Sequence, residues 1–187
     1  MKKIIFILFS IFVQNSFAQK EMTTSSGVID FEASVPLFEE VAATNKTASC
    51  VLNTKNGAFT SVIQMKEFRF KLSLMEEHFN NKYLETDHYP QATFKGIIEG
   101  FNLNIIDATP KEFKLKGELK IHGKTKKINT VITLRKSEGK LEINSNFSIL
   151  IKDFDIKIPE ILSMKVAEKV NIKALFLFGI PILANNP

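Results

Sequence analysis

Few side chains in this sequence of 187 residues could do metal or acid–base chemistry. The histidines are His78, His88 and His122, spaced by ten and then by thirty-four positions. This spacing matches no metal-binding motif. A zinc site that brought all three together in space would make the protein a metal-dependent enzyme, and this alternative stays open. Hydrogen-bonded histidines on a helix and in turns are the simpler interpretation, so we predict no metal ion and no other cofactor.

The other candidates for catalysis are a polar cluster and a single thiol. Glu85, Asp87 and His88 could act as acid, base and orienting group. Because the sequence supplies no nucleophile or oxyanion donor to accompany them, a polar turn that leads into a strand is the favoured interpretation. Cys50 is the only cysteine, and its apolar neighbours are typical of an inert core thiol. We therefore predict that the protein is not an enzyme.

The first eighteen residues have the features of an export signal. Lys2 and Lys3 precede an apolar run over residues 4–13, and Ser16 and Ala18 place small side chains at the two positions that signal peptidase inspects. The run is about half of the ~20 residues needed to cross a bilayer. We predict cleavage after Ala18 and a periplasmic or secreted protein.

The chain that remains, residues 19–187, has the composition of one folded domain. Hydrophobic residues make up 44% of the sequence, which is enough for a core. Cleavage removes two lysines and lowers the net charge from +5 to +3, so the basic balance does not indicate nucleic acid. We predict no nucleic-acid partner, and a monomer or a homodimer would both fit the sequence.

Apolar residues alternate with polar ones along most of this domain. The pattern is clearest over residues 111–121 and 140–151, and it predicts strands with one buried and one solvated face. In residues 111–121 the apolar face consists of Phe113, Leu115, Gly117, Leu119 and Ile121. Glu138 and Gly139 join residues 126–136 to the strand that starts at 140, which predicts a β-hairpin.

Weaker alternation predicts six further strands. They cover residues 27–35, 47–52, 58–65, 68–72, 92–101 and 169–178. Residues 74–82 and 159–168 break the alternation and are predicted as short helices on connections. Many antiparallel strands with one apolar face must close into a barrel or stack as two sheets. We predict an all-β fold, an antiparallel eight-stranded barrel with one or two short helices, although alternation alone does not exclude a sandwich.

Lysines are concentrated over residues 111–127, which we call the lysine-rich hairpin. They are Lys111, Lys114, Lys116, Lys120, Lys124, Lys126 and Lys127. Alternation with Glu112 and Glu118 is typical of a solvated strand face, which we favour. A transient contact with an anionic membrane surface is the alternative, because each lysine near such a surface contributes on the order of 1 kcal/mol.

Phenylalanine is abundant, with 17 residues, whereas tryptophan is absent. These side chains fall on the apolar faces of strands, where they could fill a solid core or line a dry tunnel for an apolar ligand. If they line a tunnel, the predicted ligand-contacting residues are Phe31, Phe59, Ile63, Phe68, Phe70, Phe94, Ile98, Phe113, Leu119, Ile132, Leu134, Ile143, Phe147, Ile149, Ile172 and Phe176. A solid interior would instead favour a protein-interaction module.

The order of several motifs resembles the YceI-like family of exported polyisoprenoid-binding proteins. The residues that carry the resemblance are His78, Phe79, Tyr83, Leu84, Glu85, Tyr89, Pro90, Ala92, Thr93, Phe94, Gly117, Leu119, Ile121, His122, Gly123, Thr125, Asp153, Phe154 and Ile156. They match a helix followed by Tyr-Pro and a Thr-Phe strand, a Gly-x-Leu-x-Ile-x-Gly-x-Thr hairpin and a late Asp-Phe-x-Ile turn. Two departures are residues 81–85, where the family usually has Asp-Phe-Phe-Asp-Val, and the loop around Pro159.

The resemblance implies a lipocalin-like barrel that carries a lipid. The expected ligand is a long-chain isoprenoid of the quinone or polyprenyl type, or a similar apolar lipid, which the exported protein would sequester or shuttle. Lining residues in such a family come from the inner faces of strands, so the resemblance transfers no individual ligand contact to this sequence.

Overall fold

The structure is a computed structural model that describes residues 21–180. The predicted signal segment, residues 1–18, lies outside the described residues. Nine strands are present in the described part: β1 Glu21–Ser34, β2 Ala42–Asn53, β3 Ala58–Gln64, β4 Arg69–Phe70, β5 Gln91–Ile98, β6 Lys111–Ile121, β7 Lys124–Ser137, β8 Lys140–Leu150 and β9 Val166–Gly179. Two short helices, α1 Ser73–His78 and α2 Glu160–Ser163, lie on connections.

Eight of the strands close into an antiparallel barrel. Their order is β1-β9-β8-β7-β6-β5-β3-β2, and β2 pairs back onto β1. The two-residue strand β4 adds only to the start of β2, where Phe70 lies opposite Ala43. The predicted eight-stranded antiparallel barrel is confirmed, and the β1–β2 pairing excludes the sandwich that alternation alone had left open.

Alternating burial explains why these segments are strands. Along β6, Leu115 and Leu119 are buried while Lys114 and Lys120 are exposed, so one face packs inward and the other meets water. The predicted turn at Glu138 and Gly139 joins β7 to β8, with φ values of 50° and 72° at the two residues. Positive φ at both central positions is the geometry of a tight hairpin turn that follows the twist of the strands.

The strands at the barrel closure are longer than their alternation indicates. β1 begins at Glu21 and β2 at Ala42, whereas the sequence predicts starts at residues 27 and 47. The β1–β2 register shifts on both sides of Gly27, and each irregularity interrupts the period of two. Backbone pairing between the strands therefore continues where the side-chain pattern has lapsed.

The connections differ more from prediction than the long strands do. Residues 74–82 were expected to be one helix, but α1 ends at His78 and a π-helical turn, Phe79–Tyr83, follows it. Residues 159–168 contain only the four-residue helix α2, because Val166 already pairs with Ser34 of β1. The predicted strand over residues 68–72 is reduced to Arg69–Phe70.

The two ends of the barrel are packed differently. One end, which we call the closed end, contains the β2–β3 and β7–β8 turns, and its interior is filled by the fully buried side chains Leu52, Ile98, Ile106, Leu134, Leu141 and Phe178. The other end, the mouth, is surrounded by the β1–β2 loop and by the connections that carry α1 and α2. The core therefore occupies one end of the barrel and leaves the other available for a ligand.

A pair of glycines brings β5 and β6 together beneath an aromatic ring. Gly96 lies directly opposite Gly117. A Cβ atom added at Gly117 would lie 2.4 Å from the carbonyl oxygen of Lys95 and 2.6 Å from the ring of Phe94. The Phe94 ring therefore occupies space that any larger residue at Gly117 would need.

We expect Gly117→Ala to lower the free energy of unfolding by about 2–3 kcal/mol, because the new methyl group must displace Phe94 or the backbone of β5. Urea unfolding followed by circular dichroism measures the change. Gly179→Ala is the matched control, since its added Cβ has no atom within 4 Å, and it should change stability by less than about 0.5 kcal/mol. Equal effects of the two substitutions would contradict this account of the glycine pair.

An ion pair reinforces the ladder between β7 and β8. Arg135 Nε and Nη2 donate to the two carboxylate oxygens of Glu142, each at 2.9 Å. Asn144 Nδ2 donates to the same carboxylate at 2.6 Å. These hydrogen bonds, with that from Arg135 the largest cause, lower the pKa of Glu142 below its ordinary value of about 4.5.

The stability that Glu142 contributes should depend on pH with a definite sign. Because its pKa is lowered in the folded state, the contribution is fully present above about pH 4.5 and is lost as the pH falls through the folded-state pKa. Glu142→Gln should therefore have a lower Tm than the wild type at pH 7, and the difference should shrink in acid. Glu118→Gln, which removes an exposed carboxylate from β6, is the control and should show no such trend.

Candidate functional site

The barrel encloses an apolar cavity of about 630 Å³ that extends from its middle to the mouth. We call this cavity the bore. Of the predicted ligand-contacting residues, those that line the bore are Phe31, Phe59, Ile63, Phe68, Phe70, Phe94, Leu119, Ile132, Ile143, Phe147, Ile149, Ile172 and Phe176. They come from eight strands and the segment that leads into β4, so alternation brings distant parts of the sequence to one surface. Their contact with a ligand remains a prediction.

Three of the predicted residues lie away from the bore. Ile98 and Leu134 are fully buried in the closed end, and the partly buried Phe113 packs against the same core. Their side chains point into the barrel as expected, but here the opposing side chains meet and leave no cavity. Alternation identifies the inner face of a strand and cannot show how far along the axis the interior is filled.

Two groups of phenylalanines give the bore its aromatic wall. Near the mouth, Phe79 stacks on Phe31 with 5.6 Å between ring centroids and lies 5.1 Å from Phe70. Deeper in the barrel, the Phe59 ring contacts those of Phe94 and Phe176 at 6.1 and 5.5 Å. Edge-to-face and stacked rings stabilise one another and form a stiff wall.

Sequence reasoning missed the part of the wall that comes from connections. Phe79, Tyr83 and Leu84 line the bore from the π-helical turn and the residue after it, and Ile156 and Leu162 do so from the β8–β9 connection. The sequence predicted a short helix over residues 74–82, but no sequence signal showed that its side chains would cover the mouth of a barrel.

Polar atoms in the bore are few. Ser61, Thr130 and Ser145 contribute hydroxyl groups to its wall. Ser145 Oγ is buried and has no hydrogen-bond partner within residues 21–180, which is an unfavourable state for a hydroxyl group. A ligand with an oxygen atom at this depth could supply the missing partner.

The barrel wall is split between β7 and β8 on the mouth side of Ser145. The β7–β8 ladder covers only Ile132 to Ser137 of β7, while β7 begins at Lys124 and β8 continues to Leu150. A cleft of about 450 Å³ occupies the split, and the buried ring of Phe154 lies against it. We call this split the seam. Ile128, Phe147 and Ile149 line both the seam and the bore.

The residues that carry the resemblance meet beside the seam. His122 Nε2 lies 2.9 Å from a carboxylate oxygen of Glu85, and its Nδ1 lies 3.2 Å from the carbonyl oxygen of Phe154. The Tyr89 ring packs edge-on against His122 at 4.4 Å and covers Gly123. The motifs thus form a contact, the His122 clasp (Glu85, Tyr89, His122 and Phe154), that joins three connections at the mouth.

The candidates for catalysis have other partners. Asp87 forms an ion pair of 2.5 Å with Lys66, whose hydrogen bond lowers the pKa of Asp87, and the backbone N–H of His88 donates to the carbonyl oxygen of Glu85 within a turn. Burial raises the pKa of the Cys50 thiol far above its ordinary range. Within residues 21–180, no group of three or more His, Cys, Asp or Glu side chains is placed to hold a metal ion.

No helix in residues 21–180 is long and apolar enough to cross a membrane. A comparison with curated proteins gives no match. The most informative likenesses are therefore to solved structures and to a family model.

Three solved structures share the fold at low sequence identity. A polyisoprenoid binding domain from Saccharophagus degradans is 13% identical with a TM-score of 0.75, covering 87% of this chain and 99% of that one. Burkholderia cenocepacia BcnA is 18% identical with a TM-score of 0.66, covering 81% and 95%. The Campylobacter jejuni YCEI protein is 16% identical with a TM-score of 0.60, covering 76% and 86%.

The family model of the YceI-like domain matches residues 14–178. The match runs from before β1 to within one residue of the end of β9 and includes the whole His122 clasp. The resemblance inferred from the motifs is confirmed, and the chain belongs to the YceI-like domain family.

Proposed function

We propose that this protein binds a long-chain isoprenoid, or a similar apolar lipid, in the bore and sequesters or shuttles it. The observation that carries the proposal is the apolar bore itself, about 630 Å³ within a closed barrel and lined by aromatic and branched side chains. This volume is in the range of cavities that bind small molecules. A solid β core, as an interaction module would need, does not fit such a cavity.

The bore offers enough apolar contact to hold a lipid tail against water. Removing a methylene group from water contributes ~0.8 kcal/mol, so three or four isoprene units would contribute roughly 12–16 kcal/mol. Association costs about 4–15 kcal/mol. A tail of this length would therefore offset the cost of binding, whereas a single isoprene unit would not.

Exchange with a membrane should be close to balanced. A lipid tail in a bilayer is already surrounded by hydrocarbon, so its transfer into the bore removes little additional apolar surface from water. A protein with such a bore can accept and release its ligand with small differences in free energy, which suits transfer or temporary sequestration.

The predicted export signal and the YceI-like family both support a role outside the cytoplasm, in the periplasm or after secretion. A ligand of the quinone or polyprenyl type fits the bore and is the ligand class that we propose. A polyisoprenoid binding domain is among the proteins that share the fold. In this proposal the protein is a binding protein without catalytic activity or a cofactor, and its binding partner is the apolar lipid.

Filling the bore should remove ligand binding without unfolding the protein. Ala174 lines the bore, so the indole of Ala174→Trp would occupy space that a tail needs. We expect the affinity for farnesol, measured by displacement of the fluorescent probe N-phenyl-1-naphthylamine, to fall at least about tenfold. Val131→Trp, on the exposed outer face of β7, is the control and should bind as the wild type does.

The ligand itself can be identified in protein purified from its host without detergent. Organic extraction and mass spectrometry should yield a long-chain apolar compound, with masses in steps of one isoprene unit for a polyprenyl tail. The yield should be lower from Ala174→Trp than from Val131→Trp. Wild-type protein that yields no such compound, and also fails to bind farnesol, would refute the proposed function.

A further inference from the structure

Exposed apolar side chains surround the mouth of the barrel. We call them the apolar rim: Leu37, Phe38, Leu72, Leu74, Ile161 and Met164. They are six of the eleven large apolar side chains that are exposed within residues 21–180. Of the other five, Tyr89 packs on His122 in the His122 clasp, and Val51, Ile97, Ile105 and Val131 are distributed over the rest of the surface, as single exposed apolar residues usually are. The concentration at the mouth therefore needs an explanation.

The apolar rim comes from three separate segments and is continuous with the bore. Leu37 and Phe38 lie on the β1–β2 loop, Leu72 and Leu74 at the start of α1, and Ile161 on α2. Phe38, Leu72 and Leu74 also line the bore. An apolar surface thus runs without interruption from the interior to the outside, in the form of a ring around an opening.

Within the described residues, neither packing nor backbone geometry explains why position 37 is a leucine. Its exposed fraction is 102%, so it packs against nothing in the described chain. Its φ angle is 72°, a conformation that is strained for a branched side chain and natural for glycine or asparagine. Both packing and backbone geometry disfavour leucine here, which indicates that its side chain contacts something outside the domain.

The first and last described residues lie at the end of the barrel opposite the apolar rim. Glu21 and Ile180 are both at the closed end, where Glu21 pairs with Asn53 and Gly179 with Lys140.

Electrostatic attraction to an anionic surface does not explain the apolar rim. The Asp, Glu, Lys and Arg side chains of the three rim segments, residues 35–41, 71–78 and 156–165, are Glu39, Glu40, Lys71, Glu76, Glu77, Lys157, Glu160 and Lys165. Five carboxylates against three lysines give a net charge of −2, which does not attract an anionic surface. On the lysine-rich hairpin, Lys124 and Lys126 lie near the mouth, and each faces a carboxylate, of Asp155 at 3.7 Å and of Asp153 at 3.6 Å.

We propose that the apolar rim is a membrane-docking surface whose side chains insert into the interfacial region of a phospholipid bilayer. Docking in this orientation places the mouth against the acyl chains. The docking proposal rests on the proposed function, since docking would let a lipid tail pass between the bilayer and the bore without crossing water. Insertion of apolar side chains drives the contact, and the lysine-rich hairpin contributes little to it.

The test is vesicle co-sedimentation of the purified protein. The rim variant carries Leu37→Ser, Ile161→Ser and Met164→Ser, and the matched control carries Ile97→Ser, Ile105→Ser and Val131→Ser, which are exposed apolar residues away from the mouth. On phosphatidylcholine vesicles we expect the rim variant to bind at least about tenfold more weakly than the wild type. The control should stay within about twofold of the wild type.

A second measurement separates insertion from electrostatic attraction. If the apolar rim drives docking, adding phosphatidylglycerol to the vesicles or raising the salt concentration should change wild-type binding by less than about threefold, since apolar insertion is not screened by salt. Binding that requires phosphatidylglycerol and disappears at high salt would overturn the proposal in favour of the lysines.

Three further outcomes would overturn the docking proposal. The wild type could fail to bind either kind of vesicle, or the rim and control variants could lose the same amount of binding. The wild type could also be a dimer that dissociates in the rim variant, because a second copy of the chain would then cover the apolar rim. Binding of N-phenyl-1-naphthylamine in solution keeps this test separate from the proposed function. A rim variant that still binds the probe but not vesicles supports docking, whereas a wild type that docks but binds neither probe nor farnesol retains the docking surface and loses the proposed ligand.

Discussion

The pairing of β1 with β2 is the contact on which the rest of the structure depends. Without it the eight strands would form an open sheet with two edges, and the inner face of that sheet would have to be covered by something else. With it every long strand has two neighbours, and the apolar faces turn toward a common axis. The bore exists because the sheet closes while several side chains toward the mouth are too small to fill the interior.

The unequal filling of the barrel follows from where large side chains lie along the strands. Leu52, Leu141 and Phe178 leave no space at the closed end, while Ala92, Ser145 and Ala174 face the bore. Small residues opposite aromatic rings leave a gap where large ones would interlock. The same sheet therefore surrounds a filled core at the closed end and an open cavity toward the mouth.

The sequence was most informative where a regular period governs structure. Residues 111–121 were predicted with the observed bounds, because one buried face and one solvated face leave a strict alternation. The β1–β2 closure was harder to see, since the irregularities around Gly27 interrupt the period. Weaker alternation also indicated the inner face of β5, yet the separate positions of Phe94 in the bore and Ile98 in the closed end depend on side chains from other strands. Contributions from connections, such as Phe79, require the three-dimensional path of the chain.

The seam between β7 and β8 interrupts the hydrogen-bonded circumference of the barrel. Backbone hydrogen bonds set the spacing of neighbouring strands at about 4.8 Å wherever a ladder is complete, so most of the circumference is inextensible. Beyond Ile132 and Ser145 this restraint ends, and the two strands are held apart by the Phe154 ring and by side chains alone. Side-chain packing therefore sets the width of the barrel near its opening, whereas backbone hydrogen bonds fix the width of the closed end.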